Sequence, residues 1–449
     1  MLSRQNKAIE ISRKIDNTIF QEATEFYLEA IPLRIPRKRM QLLIGENKMA
    51  NQTAADGSVA QDTDILQKKT FAEYFAGIGL MRMGLEKEGW TVEFANDISS
   101  DKYEMYSEHF RDAQSHFVIA DIHNLDVGKI PTVALATASF PCNDLSLAGA
   151  RKGLSGKESS AYWGFVRILD EMGDRRPPLV LLENVAGFLT SHGGRDFQSA
   201  LLALNRLGYA VDPLIIDAAR FVPQSRVRLF VVGSRQNGQG MWNIRETPSF
   251  YESDVRPKPL AEYIFCHPEI VWNIRDVPSL PVNLPALPDI LEELPETSSF
   301  WWNNARRDYL ISQMSEKHTA LLKKMMAADK WSFGTVFRRV RNGRSMAELR
   351  NDDIAGCLRT PRGGSARQIL VQAGFGMVKI RLMTPRECAR LMGADDFVIK
   401  VDLNKALFGF GDAVCVPVIS WIARNYLNPM LEEMLANANE LHSEKMWAY

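Results

Sequence analysis

From Lys68 onward, strand-like and helix-like stretches alternate, and nothing else in the chain constrains its fold as tightly. Short apolar runs read as strands at Thr70–Phe75, Thr91–Ala95, Phe117–Ala120, Val133–Thr137, Leu179–Leu182, Val211–Asp217 and Val227–Gly233. Helical spacing lies between most of them, at Ile78–Glu88, Asp101–Phe110, Ala161–Met172 and Asp196–Leu207. Such alternation with short connections predicts an α/β fold with a doubly wound, mostly parallel seven-stranded sheet. The last two strands are joined only by Ala218–Arg226, too short for a crossover helix, so they should run antiparallel.

The remaining segments read differently. Residues 1–68 look like an appendage, with a helical pattern from Ile9 to Ala30, a basic turn at Arg34–Arg39 and a polar linker from Asn47 to Thr63. After Arg235, prolines cluster, Trp242, Trp272, Trp301 and Trp302 appear, and periodicity fades. We therefore expect a first catalytic part at 69–235 and an irregular inserted domain at 236–378. The chain should then return to the first domain at 379–449, with helices at Thr384–Met392 and Cys415–Tyr426.

Cysteines at 142, 266, 357, 388 and 415 are odd in number and lack paired spacing, which favours reduced thiols in a cytoplasm over a disulfide framework. The seven histidines form no ligand-like grouping with them, so no metal is expected. No secretory signal is visible and no run approaches the ~20 apolar residues of a membrane span. Net charge is zero, but it is segregated. Trp331 to Leu370 carries Arg338, Arg339, Arg341, Arg344, Arg350, Arg359, Arg362 and Arg367 against three acids, as phosphate contacts require.

Chemistry-bearing residues gather at strand ends, where open α/β sheets bind ligands. The first strand runs into Phe75-Ala76-Gly77-Ile78-Gly79, whose glycines allow close backbone approach. Asp97, 20 residues beyond Gly77, could take both ribose hydroxyls, and Asp121 could accept from an adenine amine. Arg82 stands where a dinucleotide fingerprint needs its third glycine, so a nucleoside without pyrophosphate is favoured. Helix capping is the competing role for both acids. Phe140-Pro141-Cys142 follows the fourth strand, Glu183-Asn184-Val185 ends the fifth, and Gln224-x-Arg226-x-Arg228 opens the last. A thiolate, a carboxyl and a guanidinium on one sheet edge could attack and polarise an electron-poor ring.

These stretches, together with Asn-Asp at 96–97, Ala-Asp-Ile at 120–122, Thr384-Pro-Arg-Glu-Cys-Ala-Arg-Leu-Met-Gly393 and Gly411-Asp-Ala-Val-Cys-Val-Pro-Val418, resemble the ordered motifs of DNA (cytosine-5) methyltransferases of the bacterial restriction-modification type. The resemblance spans Phe71 to about Trp421 and implies an S-adenosylmethionine-dependent methyltransferase sheet. It implies that Cys142 adds to cytosine C6, Glu183 engages N3, Arg228 engages O2, Arg226 holds the flipped backbone and the Phe140 carbonyl meets the exocyclic amine. This is covalent catalysis on a base that has left the stack. Phe75, Gly77, Gly79, Asp97, Ile98, Asp121, Ile122, Pro141 and Asp412 would form the cofactor pocket. The inserted domain would recognise the target, with Arg359, Arg362, Gly363, Gly364, Ser365, Arg367 and Gln224 against DNA. Two positions depart from the family pattern. Asn143-Asp144 replaces the usual Gln after Pro-Cys, and Gly411-Asp412 replaces Gly-Asn.

The expected partners are double-stranded DNA and a cognate restriction endonuclease, with the enzyme a cytoplasmic monomer that does not engage membranes. A tRNA-modifying relative shares the motifs but usually lacks so long an insertion between Arg228 and Thr384. A DNA-binding autoregulator using residues 1–68 is a reading from another class. A nicotinamide-dependent enzyme leaves Cys142, Glu183 and Arg228 without a role.

Overall fold

The structure, a computed structural model, describes residues 64–141, 160–235, 247–282, 285–341, 343–360 and 367–446. The expectations for residues 1–63 lie outside that set, as do those for Cys142, Arg362, Gly363, Gly364 and Ser365.

The alternating region forms β1 (Thr70–Tyr74), α1 (Leu80–Glu86), β2 (Thr91–Asp97), α2 (Ser100–His109), β3 (Phe117–Ile119), β4 (Leu135–Ser139), α3 (Ser160–Glu171), β5 (Leu179–Val185), α4 (Arg195–Arg206), β6 (Tyr209–Asp217) and β7 (Val227–Arg235). The seven strands lie in the order β3-β2-β1-β4-β5-β7-β6. β1 pairs in parallel with β2 and β4, and β4 with β5, whereas β7 runs antiparallel to both β5 and β6. Pro213, which has no N–H to give a ladder, sits in the edge strand β6. The chain leaves β1 toward β2 and β3, then returns to β4 on the other side. The carboxyl ends of β1 and β4 therefore flank a switch point.

Side-chain alternation divides the interior in two. Phe71, Leu135, Leu179, Leu181 and Phe230 face one core, and Ala72, Tyr74, Ala136, Val180 and Leu182 face the other. The first core is completed by distant chain: α8 (Pro385–Leu391), α9 (Leu403–Asp412), α10 (Val416–Ile422) and α11 (Asn428–Met446) all contribute to it. One helical stretch, within Leu403–Glu440, is long and apolar enough to cross a membrane, contrary to the sequence expectation. Two-thirds of that window (67%) is buried inside the protein.

The inserted segment is more regular than its sequence suggests. After α5 (Lys258–Cys266) come α6 (Asn304–Ser312) and α7 (Glu316–Met326), then β8 (Ser332–Arg341), β9 (Arg344–Arg350), β10 (Ile369–Gly374) and β11 (Met377–Leu382). These strands form an antiparallel sheet in the order β11-β10-β8-β9. Val336, Ile369, Val371 and Ile380 pack with Leu310 of α6 and Leu322 of α7 into a third core. Arginines on both faces of β8 interrupt the apolar alternation that marks a strand. The expected boundary at Val378 falls inside β11. That strand is fastened to α8 by a buried pair, in which Arg381 Nη1 and Nη2 donate to Glu387 Oε2 and Oε1 at 2.7 and 2.5 Å.

Candidate active site

The β1 carboxyl end turns sharply, with positive φ at Phe75 (58°), Gly77 (58°) and Gly79 (84°). A Cβ on Gly79 would stand 2.4 Å from the Phe110 ring, so close packing of α2 excludes any side chain there. Around Gly77 the space is open; only the Phe75 carbonyl oxygen comes near, at 3.9 Å from where a Cβ would be. Asp97 braces this turn, since its Oδ2 accepts from Gly77 N–H and its Oδ1 from Ser99 N–H, both at 2.9 Å. Ile98 beside it is 68% exposed, an apolar platform at a polar strand end. Open backbone, a carboxylate and an apolar face suit a nucleoside.

Asp121 caps the short turn Ile122–Asn124 by accepting from His123 N–H at 2.9 Å. Ile122 is a core residue packed under Gly164 of α3. Asp412 ion-pairs with Lys102 of α2 at 3.1 Å and accepts a hydrogen bond from Thr360. Asp412 and Lys102 border a cleft of about 660 Å3 whose lining also includes Ser99, Met105, Arg367 and Phe408.

Beyond β4, Phe140 is buried and Pro141 exposed. Asn184 Nδ2 donates to the Phe140 carbonyl at 3.2 Å and ties the end of β4 to β5, a role the sequence reading gave to no residue. Glu183 and Arg228 lie on neighbouring strands, two residues out of register and so on one face, since Glu183 is opposite Phe230 and Val185 opposite Arg228. Arg228 Nε contacts Glu183 Oε1 at 2.9 Å, with both side chains largely shielded from solvent.

Arg226 and Gln224 are not free to meet DNA. The Arg226 guanidinium is enclosed, and its Nη1 donates to Leu358 O at 2.8 Å while its Nη2 donates to Ala413 O at 2.5 Å and Gly411 O at 3.3 Å. Burial, with Arg228 adding to it, lowers its basicity. Gln224 is fully buried; its Oε1 accepts from Leu358 N–H at 2.9 Å and its Nε2 donates to Leu391 O at 2.7 Å. Neither side chain has the exposure that a phosphate contact demands, although Arg226 Nε is left without a hydrogen-bond partner among the described residues. Both clamp the irregular segment between β9 and β10 at Leu358. In that segment, Cys357 Sγ lies 3.4 Å from Arg226 Nη1. Burial pushes its thiol up, but Arg226, Arg228 and Arg359 more than offset this and hold it below its ordinary value.

Arg359 and Arg339 share the Phe337 ring, at 5.0 and 4.9 Å from its centroid. Arg367 donates to Asn404 Oδ1 at 2.6 Å.

A seven-stranded sheet with one antiparallel strand, a glycine turn braced by an acid and a Glu–Arg pair beside Phe140 form the frame expected of a methyltransferase. The family model described as C-5 cytosine-specific DNA methylase matches residues 69–428, and the chain belongs to that family. It is a DNA (cytosine-5-)-methyltransferase. The type II methyltransferase M.DsaV of Dactylococcopsis salina is 29% identical over 362 residues, covering 80% of this chain and 86% of that one. The DNA-cytosine methyltransferase of Escherichia coli (strain K12) is 26% identical over 421 residues, covering 82% and 79%. Among solved structures, the Dnmt2 methyltransferase of S. pombe aligns with a TM-score of 0.53 at 18% identity, covering 81% of this chain and 99% of that one. At that identity the likeness speaks to the fold.

Proposed function

We propose that this enzyme methylates C5 of a cytosine swung out of duplex DNA, through a covalent adduct between Cys142 and C6. It would protect host DNA as the modification arm of a bacterial restriction-modification system, alongside a cognate endonuclease. The reading is carried by the Glu183–Arg228 contact at 2.9 Å, buried next to the Phe140-Pro141 turn. Cytosine presents N3 and O2 side by side. A carboxyl and a guanidinium held together match those two atoms.

When the thiolate adds to C6, the displaced electron pair moves toward N3 and O2. A proton from Glu183 to N3 and hydrogen bonds from Arg228 to O2 would neutralise it, leaving C5 nucleophilic. Bound S-adenosylmethionine supplies the electrophilic methyl. The C5 proton then departs and the thiolate is eliminated, which regenerates Cys142. Phe75, Gly77, Asp97, Ile98 and Asp121 would hold the donor's nucleoside end, and Asp412 with Lys102 would face its charged end. Residues Arg359–Arg367 would face DNA.

Trapping on DNA containing 5-fluorocytosine, with S-adenosylmethionine present, tests the mechanism, because fluorine at C5 blocks the final elimination. A denaturation-resistant complex should form with wild type and with Cys415→Ser, but not with Cys142→Ser. An adduct on fluorinated tRNA and none on DNA would transfer the reading to RNA. No adduct on either would remove covalent catalysis.

A further inference from the structure

β8 and β10 pair with Ile369 opposite Val336, and carrying that register two residues further sets Arg367 opposite Arg338. Val336 and Ile369 both point into the core beneath α6 and α7. Arg367 stands two residues before β10 begins and borders the cleft beside Asn404, while Arg338, two residues from Val336 in the extended β8, emerges on the helix-covered side of the sheet. Helix α6 adds Arg306 there, with its guanidinium carbon 3.9 Å over the Trp302 ring. Burial lowers the basicity of Arg306, and Arg338 and Arg367 lower it further, which brings three guanidiniums from three elements within electrostatic reach of one another.

Like charges opposite each other across a ladder are destabilising. Neither Arg306 nor Arg367 meets a carboxylate among the described residues; their partners are the Trp302 ring and the Asn404 side-chain oxygen. Both of those partners aim a guanidinium without neutralising it. The cluster also stands directly after residues 361–366, the segment expected to enter DNA, while Arg359 stands directly before it.

We propose that Arg306, Arg338 and Arg367 form a site for one backbone phosphate of the DNA at the foot of the recognition loop, setting the register of the duplex without reading a base. This rests on the DNA-methylating reading above. A phosphate among three guanidiniums converts mutual repulsion into charge-assisted hydrogen bonds. The sequence reading listed Arg338 and Arg367 in a basic patch and did not reach Arg306, whose partners become neighbours only through the β8–β10 register.

The test is the salt dependence of duplex binding by the full chain. It uses one duplex carrying the methylation site, found by sequencing a treated plasmid, and one lacking it. Arg306→Gln and Arg367→Gln should each reduce the slope of log K against log salt by about 0.9 and weaken both duplexes equally. Arg306→Lys should keep the slope. Free Arg367→Gln should melt above wild type at low salt, because repulsion is relieved; a merely structural arginine would give a lower melting temperature. An unchanged slope, or a loss confined to the methylatable duplex, overturns the proposal. Inorganic phosphate that stabilises wild type while the variants keep the duplex slope would assign the site to free phosphate and also overturn it. If wild type binds no duplex at all, the failure belongs to the DNA reading instead.

Discussion

Glu73 illustrates how much one side chain can weigh. It lies on the central strand β1, 2% exposed, opposite Ala95 on one side and Thr137 on the other. Burial pushes its carboxyl up from 4.5 to about 8, against the attraction of Arg82. Between those two values the folded chain keeps a proton that the unfolded chain has released. Stability contributed at this site is therefore greatest in acid and falls as pH rises toward 8, by about 1.4 kcal/mol per pH unit for one proton. Glu73→Gln should flatten that decline while keeping the shape of the side chain. Urea unfolding midpoints at several pH values between 5 and 8, taken for both proteins, measure the difference. Parallel declines in wild type and variant would show that the dependence arises elsewhere.

At the scale of elements, the junction between the start of β7 and the segment around Leu358 ties the chains of the two sheets together. Gln224 satisfies a backbone donor at Leu358 and a backbone acceptor at Leu391, and both would be buried and unpaired without it. Gln224→Ala should cost about 1–3 kcal/mol in thermal or urea unfolding. A neutral effect would mean that the segment carrying Leu358 does not depend on this clamp. Arg226→Met should likewise lower stability and turnover yet leave the salt slope of DNA binding unchanged, the opposite of the outcome at Arg306. The strands and their catalytic ends were legible because their signals are local: an apolar run, then glycine, Pro-Cys or Glu-Asn at its end. The clamp was not, because Arg226 reaches Leu358, Gly411 and Ala413 across 132 to 187 residues of chain. The second sheet was hidden by its own arginines, which break the alternation of β8. Ile122 followed the pocket motif in sequence, and the packing of Gly164 draws it into the core.

The molecule as a whole is closed by its last helices. A Cβ on Gly84 of α1 would stand 2.5 Å from the Ile419 Cβ of α10, so the two helices touch almost backbone to backbone. Trp90 Nε1 donates to Asn428 Oδ1 at 2.8 Å, and Glu88 takes hydrogen bonds from Ser420 and Arg424. Gly84→Ala should destabilise the enzyme by about 1–3 kcal/mol through overpacking, because the atoms its methyl meets are the Ile419 Cβ and the Val416 carbonyl oxygen, which no rotamer change can move aside. Melting temperatures of variant and wild type would check this, and an unchanged value would refute the close contact. The closure also bears on how the enzyme is made. A ribosome adding roughly 5–20 residues per second exposes β1 and α1 tens of seconds before the helices that cover them. Until then their apolar face has no native cover, so this core closes only once the last helices have emerged.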